Sequence, residues 1–590
     1  MEKRQLQKLS LIIKFLTKND KRILPCFAVG TILLRNLKME LEDSIKRTVN
    51  LDDIVIVFSR PPEFKFGDVA TPLCFELGKK LKKPPVQIAN DVVKNIILPE
   101  GVEKAEAAGG YINFFFDKKY FSKKTVEEVI KKDAFYGKGE NKKEKVMVEY
   151  SQPNTHKSFH IGHLRNVCLG DALANIMEFS GYDTVRANYI GDVGAHVAKC
   201  LWAYMKFYDG VIPEQNKGEF LGKVYSEADK KLQESEEYQE EYKVVLKNLY
   251  DEDKKIMEIW EMTREWSLEE FNRIYMELGI NFDVFLYESE VKDEGIKITR
   301  ELMDKGIADV KDGAVLVDLK EFDLDEFVIL RSDGTALYST KDLALAKRKF
   351  EDFRIDLSLY VVGSEQKFYF KQLFKTLEIM GFKQAKNCYH LSYELVMLEE
   401  GKMSSREGNV VLYSELKDVV KKEALNQVRE RNISNAKNIS EIVTIGALKY
   451  SMMKDNNKRI IFNWEKALDF EGDTAPYIQY AHARATSILK KIDDFSAEFE
   501  IDSLDDKEYK LVSMISEFPE IVEKASIDYR PDYVSNYVYG IAKCFNEFYH
   551  ECHVINAETN RDFRVSLVKA TKIVLSNALA LLGIKAPEEM

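Results

Sequence analysis

The spacing of apolar residues changes abruptly within residues 146–181. Apolar side chains occupy alternate positions from Val146 to Tyr150, which is the period of a β-strand. A proline and an asparagine then break the strand, and a helical spacing runs from Leu164 to Ile176 before Gly181 ends it. The sequence His160-Ile161-Gly162-His163 therefore lies where a strand leads into a helix N-terminus. Free backbone N–H groups and the helix dipole favour an anion such as a phosphate there.

The side chains of residues 160–163 suit a nucleotide phosphate. Gly162 carries no side chain, so a flat ring could lie against the backbone. His160 and His163 can donate hydrogen bonds to phosphate oxygens as negative charge moves among them. An H-x-G-H string occurs by chance in about one chain in two hundred of this composition, so a polar turn that only caps a core helix is the alternative.

A second candidate motif lies far downstream between two strand-like runs, Gly401-Lys402-Met403-Ser404-Ser405-Arg406-Glu407-Gly408. The glycines at both ends predict a loop, here one that carries a lysine and an arginine. Alone, this string is typical of a solvated surface turn. Together with the upstream His-Ile-Gly-His, it resembles the paired signature of class I aminoacyl-tRNA synthetases, and in particular of the arginyl-tRNA synthetase family.

The resemblance extends over most of the chain. It includes the segments SQPNTHKSFHIGHLRN, GDVG, ALYSTKDLA, FEGDTAPYIQYAHAR and LGIKAPEEM. It covers nearly everything from about Leu51 to Met590, and a typical member of the family begins near Met39. We therefore interpret residues 1–38 as an N-terminal extension of unclear role.

Composition and charge narrow the class of protein. The 590 residues are 45% apolar and 31% charged, as in a soluble protein of about four domains. A net charge of −11 excludes nucleic-acid binding by bulk charge, so an RNA partner needs local basic surface. Two clusters could supply it, although each is typical of a solvated face: Lys79, Lys80, Lys82 and Lys83, and then Lys347, Arg348 and Lys349.

The cysteines and the apolar runs indicate the compartment. Seven scattered cysteines without a C-x-x-C pair predict neither a zinc site nor a disulfide framework, and therefore a reduced, cytoplasmic setting. No apolar run reaches about 18 residues, which predicts no membrane span. Lys14 interrupts the apolar stretch near the N-terminus, so a signal peptide is not expected.

The order of the predicted elements indicates a multidomain fold. Alternating strands and helices predict an α/β, Rossmann-like parallel-sheet catalytic core with an insertion, and FVILRSDGTALY in its second half predicts a hairpin that turns at Asp333-Gly334. Before the core, strands at 52–58 and 109–116 and helices at about 71–83, 86–97 and 121–132 predict an α+β N-terminal domain. After the core the chain is predicted to be helical. The predicted boundaries are 1–38, 39–136, 137–415 with the insertion at about 201–293, and 416–590.

The resemblance implies an activity, which is ATP-dependent attachment of arginine to tRNA(Arg) in protein synthesis by a monomer. ATP with Mg²⁺ would react with the arginine carboxylate to give arginyl-adenylate, and the arginyl group would pass to the 2′-hydroxyl of the terminal adenosine. Positioning and charge stabilisation would account for most of the catalysis. The catalytic residues by this resemblance are His160, His163, Lys402 and Lys157. Some members lack the loop lysine and rely on one just before the histidines, and this chain has both.

The resemblance also implies the binding residues. ATP would contact Gly162, Gly191, Asp192, Met403, Ser404, Ser405 and Arg406, where Ser405 replaces a second loop lysine and leaves Arg406 as the second cation. Arginine would contact Glu149, Ser151, Asn154, Tyr338, Asp342 and Gln366, with the Asp342 carboxylate facing the guanidinium. The alternative for Asp342 is a first-turn carboxylate that stabilises its helix.

For tRNA, the resemblance implies one contact region at each end of the chain. The N-terminal domain would recognise the D-loop, because Tyr111 and Asn113 match a Y-x-N pair that reads a base there. The all-α C-terminal domain would bind the anticodon through Tyr477, Tyr480, His482 and Arg484. Residues that repeat at helical spacing more usually pack in a protein core, so packing is the alternative role for these four residues.

Two functions from other classes remain open at this point. A small-molecule nucleotidyltransferase also uses H-x-G-H, but it would not need the second loop or a helical C-terminal domain. An inactive tRNA-binding paralogue would be expected to have lost His160, His163 or Lys402, and all three are present.

Overall fold

The computed structural model describes residues 32–398 and 411–590, apart from residues 432, 434, 456, 457, 493, 495 and 497. The chain divides into two units, one that ends at Phe115 and one that begins at Phe116. Within the described ranges, no helix is long and apolar enough to cross a membrane.

The described part of the first unit, from residue 32, combines three α-helices with a three-stranded sheet, as predicted for an α+β domain. In chain order its elements are α1 (Leu33–Val49), β1 (Val69–Thr71), α2 (Leu73–Leu81), α3 (Pro85–Asn95), β2 (Val102–Ala108) and β3 (Tyr111–Phe116). The strand order is β1-β3-β2, with β1 antiparallel to β3.

Helix α1 begins before the predicted boundary at residue 38. Leu34, Leu37, Leu41 and Ile45 fall on one face of this helix, and all four are buried. The apolar spacing therefore continues through Met39, and residues on both sides of the predicted boundary belong to one helix.

The strand predicted at residues 52–58 is wrong, because those residues form no strand. Ile54 and Ile56 are buried, whereas Val55 and Val57 are each 61% exposed. The alternating apolar pattern therefore reflects alternate burial of side chains in a segment that forms no strand. The backbone makes an antiparallel bridge only just after it, between Ser59 and Ala70.

The second unit begins with α4 (Lys118–Lys132), which the sequence assigned to the N-terminal domain. The helix starts at Lys118 because Asp117 caps it. It packs on residues far along the chain: the Phe121 and Tyr509 rings lie 6.3 Å apart, and Lys123 pairs with Glu500 at 2.6 Å. These long-range contacts explain why the predicted boundary at 136 falls too late.

A five-stranded parallel sheet forms the centre of the second unit. Its order is β11-β10-β4-β5-β6, which confirms the predicted parallel-sheet core. The elements up to β6 are β4 (Lys145–Glu149), α5 (Ile161–Phe179), β5 (Asp183–Ile190), α6 (Ala195–Phe207), α7 (Lys217–Glu234), α8 (Glu236–Tyr250), α9 (Lys254–Leu278) and β6 (Val284–Tyr287). Helices α6 to α9 lie in the sequence between β5 and β6, which are neighbours in the sheet. The insertion predicted at 201–293 extends beyond the end of β6 at Tyr287.

The second half of the core completes the sheet and adds a small antiparallel one, β7-β8-β9. Its elements are α10 (Glu288–Asp304), β7 (Asp309–Lys311), β8 (Ala314–Asp318), β9 (Glu326–Leu330), α11 (Tyr338–Phe353), β10 (Leu357–Gly363), α12 (Lys367–Ile379), β11 (Cys388–Tyr393) and β12 (Val396–Leu398).

The hairpin predicted at Asp333-Gly334 forms a turn without a second strand. Gly334 N–H donates to Arg331 O at 2.9 Å, and the chain then makes a single bridge, Leu330 to Ala336. Helix α11 begins two residues later, so β9 finds its partner in β8 instead.

The described residues in the rest of the second unit are mainly helical, as predicted, with one short strand, β13, that pairs with β12. It contains α13 (Tyr413–Glu430), α14 (Ala436–Met452), β13 (Ile460–Phe462), α15 (Trp464–Ala467), α16 (Ala475–Leu489), α17 (Asp506–Ser516), α18 (Phe518–Asp528), α19 (Pro531–Glu551) and α20 (Arg561–Leu581). Short 3₁₀ turns lie at Phe64–Phe66, Asp133–Phe135, Lys320–Phe322, Ser364–Gln366 and Lys383–Asn387.

Candidate active site

The turn between β4 and α5 has a strained backbone. Ser151, Gln152 and His156 have φ angles of +76°, +46° and +64°, in the left-handed region that is costly for residues other than glycine. Asn166 Oδ1 accepts a hydrogen bond from Ser151 N–H at 2.6 Å. Asn188 Oδ1 accepts one from Gln152 N–H at 3.2 Å. The strain lies at the carboxyl end of β4, the edge at which parallel sheets bind ligands.

His160 and His163 cap the N-terminus of α5 reciprocally. His160 Nδ1 accepts hydrogen bonds from Gly162 N–H at 3.1 Å and His163 N–H at 3.4 Å. His163 Nδ1 accepts one from His160 N–H at 3.2 Å, and the ring centroids lie 3.7 Å apart. Because each Nδ1 is an acceptor, each neutral ring carries its proton on Nε2. Nε2–H is therefore the donor that each ring can offer to an anion.

Both rings are neutral at pH 7. Burial, with the charge of Lys157 as a second cause, lowers the pKa of His160 to about 4. Burial also lowers the pKa of His163 well below its usual value. Lys157 itself has a lowered pKa because it is partly buried, and its Nζ lies 4.9 Å from the centroid of the Tyr225 ring. Two neutral donors and one lysine thus lie near the same helix N-terminus.

The loop after β5 is joined to the turn after β4. Asn154 pairs with Gly191, and a Cβ atom on Gly191 would lie 2.3 Å from Asn154 Oδ1, so a larger residue there would displace the Asn154 side chain. The fully buried Asp192 carboxylate accepts hydrogen bonds from Arg264 Nε at 2.9 Å and from the N–H and hydroxyl of Ser289 at 2.9 and 2.8 Å. The Asp192 carboxylate therefore holds the loop to α9 and α10. Its contact with ATP remains a prediction.

A half-buried carboxylate, that of Asp342, lies near the start of α11, just after its first turn. The Tyr369 hydroxyl donates a hydrogen bond to Asp342 at 2.5 Å. Burial raises the pKa of Asp342 to about 6, although that hydrogen bond opposes the rise. The protein alone therefore compensates the charge of Asp342 only in part, and a cationic ligand would stabilise it.

Two further buried acids lie near Asp342, each with a lysine partner. Lys349 pairs with Glu149, and Lys341 pairs with Glu288. Burial raises the pKa of Glu288 to about 7, and Lys341 opposes that rise. When all three carboxylates are ionised, they face two lysines. The pocket then has one negative charge in excess, which matches one bound monovalent cation.

The other predicted arginine contacts lie at the same edge of the sheet, with different accessibility. Tyr338 is 54% exposed, and Lys341 Nζ lies 4.9 Å from the centroid of its ring. Gln366 is exposed and ends the 3₁₀ turn after β10. The hydroxyl of Ser151 is buried and bonded to the Tyr275 hydroxyl at 2.7 Å, so it supports the turn from within.

The second signature motif, with the predicted site residues Lys402, Met403, Ser404, Ser405 and Arg406, lies outside the described residues. The chain resumes beside the histidines. Ile161 N–H donates to Val411 O at 3.1 Å, and Tyr413 N–H donates to Phe159 O at 3.0 Å. Residues 411–413 are therefore hydrogen-bonded on both sides of His160.

In the first unit, Tyr111 and Asn113 lie on β3. The Tyr111 ring packs edge-on against Phe75 with centroids 5.3 Å apart, and Phe75 is 40% exposed. Asn113 is buried. Of the two predicted contact residues, the accessible one is therefore the aromatic residue, Tyr111.

Tyr480 and Arg484 belong to what we call the Arg484 cluster, which also contains Arg431, Asn546 and Tyr549. The Arg484 guanidinium lies 4.7 Å from the Tyr480 centroid and 4.9 Å from the Tyr549 centroid. It donates to Asn546 Oδ1 at 2.6 Å, and Arg431 lies 5.9 Å from the Tyr480 ring. Stacked aromatic and guanidinium planes of this kind suit splayed RNA bases.

His482 has a structural role, which corrects its predicted RNA contact. Its side chain is 2% exposed, and Nδ1 is hydrogen-bonded to Pro587 O at 2.9 Å. This bond fastens the C-terminal tail to α16. Tyr477, on the same helix, packs against Tyr539 with ring centroids 5.6 Å apart.

The sequence analysis missed Glu288, Lys341 and Tyr369. Glu288 directly follows β6, so a search for charged residues at the carboxyl ends of parallel strands would have found it. Lys341 adjoins Asp342 in the sequence. Tyr369 has no local signal, because the fold alone brings it to Asp342.

Comparisons with known proteins decide the family. Residues 125–464 match the model of class I (R) tRNA synthetase catalytic domains, residues 478–590 match the DALR anticodon binding domain, and residues 35–116 match the arginyl tRNA synthetase N terminal domain. The chain belongs to the arginyl-tRNA synthetase family. This membership confirms the resemblance inferred from the two signature motifs.

Relatives of the synthetase span nearly all of its length. The arginine–tRNA ligase of Bdellovibrio bacteriovorus is 38% identical over 93% of this chain and 98% of its own. That of Clostridium acetobutylicum is 36% identical over 94% of this chain and 100% of its own. The solved arginyl-tRNA synthetase of Thermus thermophilus is 28% identical, with a TM-score of 0.81 over 94% of this chain and all of that one.

The reciprocal cap predicts how two variants of His160 differ in stability. Asparagine is a good N-cap residue and alanine is not. We expect His160→Ala to lower the free energy of unfolding by about 1 kcal/mol and His160→Asn to change it by less than about 0.5 kcal/mol. Urea unfolding followed by circular dichroism measures both. Equal losses in the two variants would show that His160 does not act as a cap.

Proposed function

We propose that this synthetase attaches L-arginine to tRNA(Arg) for protein synthesis, and that the reaction passes through arginyl-adenylate to the 2′-hydroxyl of the terminal adenosine. The observation that carries the proposal is the pocket of Asp342, Glu149 and Glu288, whose excess negative charge lies at the sheet edge that also bears the histidine pair. The names of the curated relatives, arginine–tRNA ligases, support the same substrates.

Arginine would enter this pocket with its guanidinium toward Asp342. A carboxylate can accept two parallel hydrogen bonds from the planar guanidinium, a geometry that the ammonium of lysine cannot match. The raised pKa of Asp342, about 6, supports this placement, because a bound cation stabilises a charge that burial disfavours. Asn154 and Tyr338 lie at the same edge and would contact the rest of the amino acid.

The histidine pair would act in the first step. The arginine carboxylate attacks the α-phosphorus of ATP in line, and the bond to the leaving pyrophosphate breaks. The Nε2–H groups of His160 and His163 stabilise the charge as it moves onto the phosphate oxygens. Lys157 and Lys402 would supply positive charge. Catalysis would then depend on positioning and electrostatics rather than on covalent chemistry.

Mg²⁺ would enter with ATP rather than occupy a site on the protein. In the part of the chain that the structure describes, no three His, Cys, Asp or Glu side chains are arranged to hold a metal ion. The phosphate oxygens of ATP are the hard ligands that Mg²⁺ prefers. We therefore treat it as part of the substrate and assign it no protein ligand.

The tRNA would contact each unit separately. Tyr111 on β3 would stack on a D-loop base, and the Arg484 cluster would stack on anticodon bases. Such local contacts are required because the whole chain carries a net charge of −11. We further propose that the synthetase works in the cytoplasm as a monomer.

The deciding experiment is an aminoacylation assay with total tRNA and each of the twenty amino acids in turn. We expect charging with arginine alone. Charging with another amino acid, or nucleotidyl transfer to a small molecule without any charged tRNA, would overturn the proposal.

His160→Asn should separate capping from catalysis. This variant keeps the helix cap but loses the Nε2–H donor, so arginine-dependent ATP–pyrophosphate exchange with tRNA present should slow by about a hundredfold or more. The matched control is Tyr136→Phe, which removes a buried hydroxyl that donates a hydrogen bond to Ile515 O. Wild-type exchange in His160→Asn would exclude this donor from the reaction.

Asp342→Asn tests the choice of amino acid. The amide keeps the shape but loses the charge and half of the bidentate match. A hydrogen bond to a charged partner is worth roughly 1.5–3 kcal/mol, and leaving the guanidinium opposite an amide donor costs more. We expect kcat/KM for arginine to fall by roughly two to three orders of magnitude. Citrulline, whose urea is neutral, should lose much less.

A matched control for this variant is Asp352→Asn, which changes an exposed carboxylate on the same helix, paired with Arg348. It should leave kcat/KM for arginine unchanged. Equal losses for arginine and citrulline in a stably folded Asp342→Asn enzyme would make Asp342 a helix-stabilising residue and place the pocket elsewhere.

The raised pKa of Asp342 predicts the pH dependence of arginine use. Its carboxyl group binds a guanidinium only when it is ionised, so kcat/KM for arginine should fall as the pH drops through about 6 and level off above it. The measurement is kcat/KM between pH 5 and 8 for the wild type and Asp342→Asn. An identical acidic limb in both enzymes would assign that limb to another group.

A further inference from the structure

Tyr189 is a buried tyrosine that the sequence analysis did not single out. It is the second-to-last residue of β5 and pairs with Leu286 of β6. Because Glu149 pairs with Ala187, and side chains alternate along a strand, Tyr189 lies on the same face of the sheet as Glu149. It stands one row nearer the carboxyl edge, where ligands bind. The side chain is 8% exposed.

The hydroxyl of Tyr189 is fully enclosed, and in the described part of the chain it has no hydrogen-bond partner. Burying a hydroxyl without a partner is costly, so an isolated one marks a place where another group completes the bond. Two other tyrosines near the site differ from it. Tyr369 donates to Asp342, and Tyr275 is bonded to Ser151 and Asn188.

Three acids lie close enough to Tyr189 for their charges to act on its hydroxyl, and each already has a partner in the protein. After burial itself, the charges of Glu288, Asp342 and Glu149 are the largest causes that raise its pKa. Glu288 is paired with Lys341, Asp342 with Tyr369, and Glu149 with Lys349. The Tyr189 hydroxyl therefore lies beside the acidic pocket but makes no hydrogen bond to any of its three carboxylates.

A guanidinium supplies what this hydroxyl lacks. It carries five N–H donors, of which one carboxylate accepts two, and a phenol oxygen can accept another. We propose that Tyr189 is a specificity-determining residue whose phenol oxygen accepts a hydrogen bond from the guanidinium of bound arginine. This inference rests on the proposed placement of arginine at Asp342.

Tyr189→Phe tests the inference, because phenylalanine keeps the ring that packs beside Leu286 and removes only the hydroxyl. The matched control is Tyr360→Phe. Tyr360 is also buried and also has a hydroxyl without a partner within the described ranges, but it pairs with Glu149 across the sheet and so lies one row deeper. Steady-state aminoacylation is measured for both variants and for Asp342→Asn, with the active-site concentration titrated.

We expect Tyr189→Phe to raise KM for arginine about ten- to a hundredfold, the range of one hydrogen bond to a charged group. kcat and the KM values for ATP and tRNA should stay within about twofold, because the contact is the same in the ground state and the transition state. The rise in Tm that arginine causes should shrink, while the rise that ATP causes should not. Tyr360→Phe should match the wild type.

The outcomes separate this inference from the proposed function. An unchanged KM for arginine in Tyr189→Phe, with a large loss in Asp342→Asn, would overturn the role of Tyr189 and leave the pocket in place. Wild-type behaviour of both variants would refute the pocket as well. A fall in kcat with parallel rises in KM for arginine and ATP would show that Tyr189 acts only by supporting the sheet.

Discussion

The constraint on which the rest of the site depends is the fixed position of helix α5. Two charged side chains of this helix are buried, and a buried charge without partners is strongly destabilising. Arg165 donates to Asp455 O at 3.0 Å. Asp171 pairs with Lys449 at 3.1 Å, and Lys449 also donates to Gly583 O at 2.9 Å. Any shift of α5 would break these bonds, so its N-terminus is fixed relative to the helical part of the second unit.

The acidic pocket shows how a binding site can oppose folding. Burial raises the pKa of Asp342 to about 6 and that of Glu288 to about 7, so ionisation of each group costs more free energy in the folded, empty protein than in the unfolded chain. This cost to folding is absent below the pKa values that the two acids have in the unfolded chain. It grows as the pH rises above those values and is complete above the folded pKa values of about 6 and about 7. A cationic substrate reverses the penalty when it binds, which makes the pocket selective for charge as well as for shape.

The sequence predicted the local parts of this structure and failed where distant segments meet. The strand-turn-helix around the histidines and the position of Asp342 near the start of a helix follow from short-range patterns. Tyr369 reaches the pocket only through the order of the strands and helices in the fold, which no short window contains. His482 was misjudged for a related reason, because helical spacing does not say which face the C-terminal tail covers. At residues 52–58, alternate burial produced a strand pattern without a strand.

The neutrality of the histidine pair follows from its location, and it suits the chemistry. Burial is the main reason that protonation of either ring is disfavoured, and the charge of Lys157 and the partial positive charge of the helix N-terminus act in the same direction. A pair of imidazolium ions would hold pyrophosphate strongly both before and after the reaction. Neutral Nε2–H donors bind the phosphate oxygens less strongly. They can stabilise the negative charge on the α-phosphate and then, as the charge moves, on the leaving group. The capping bonds fix the tautomer, so the fold itself sets the direction of these donors before any substrate arrives.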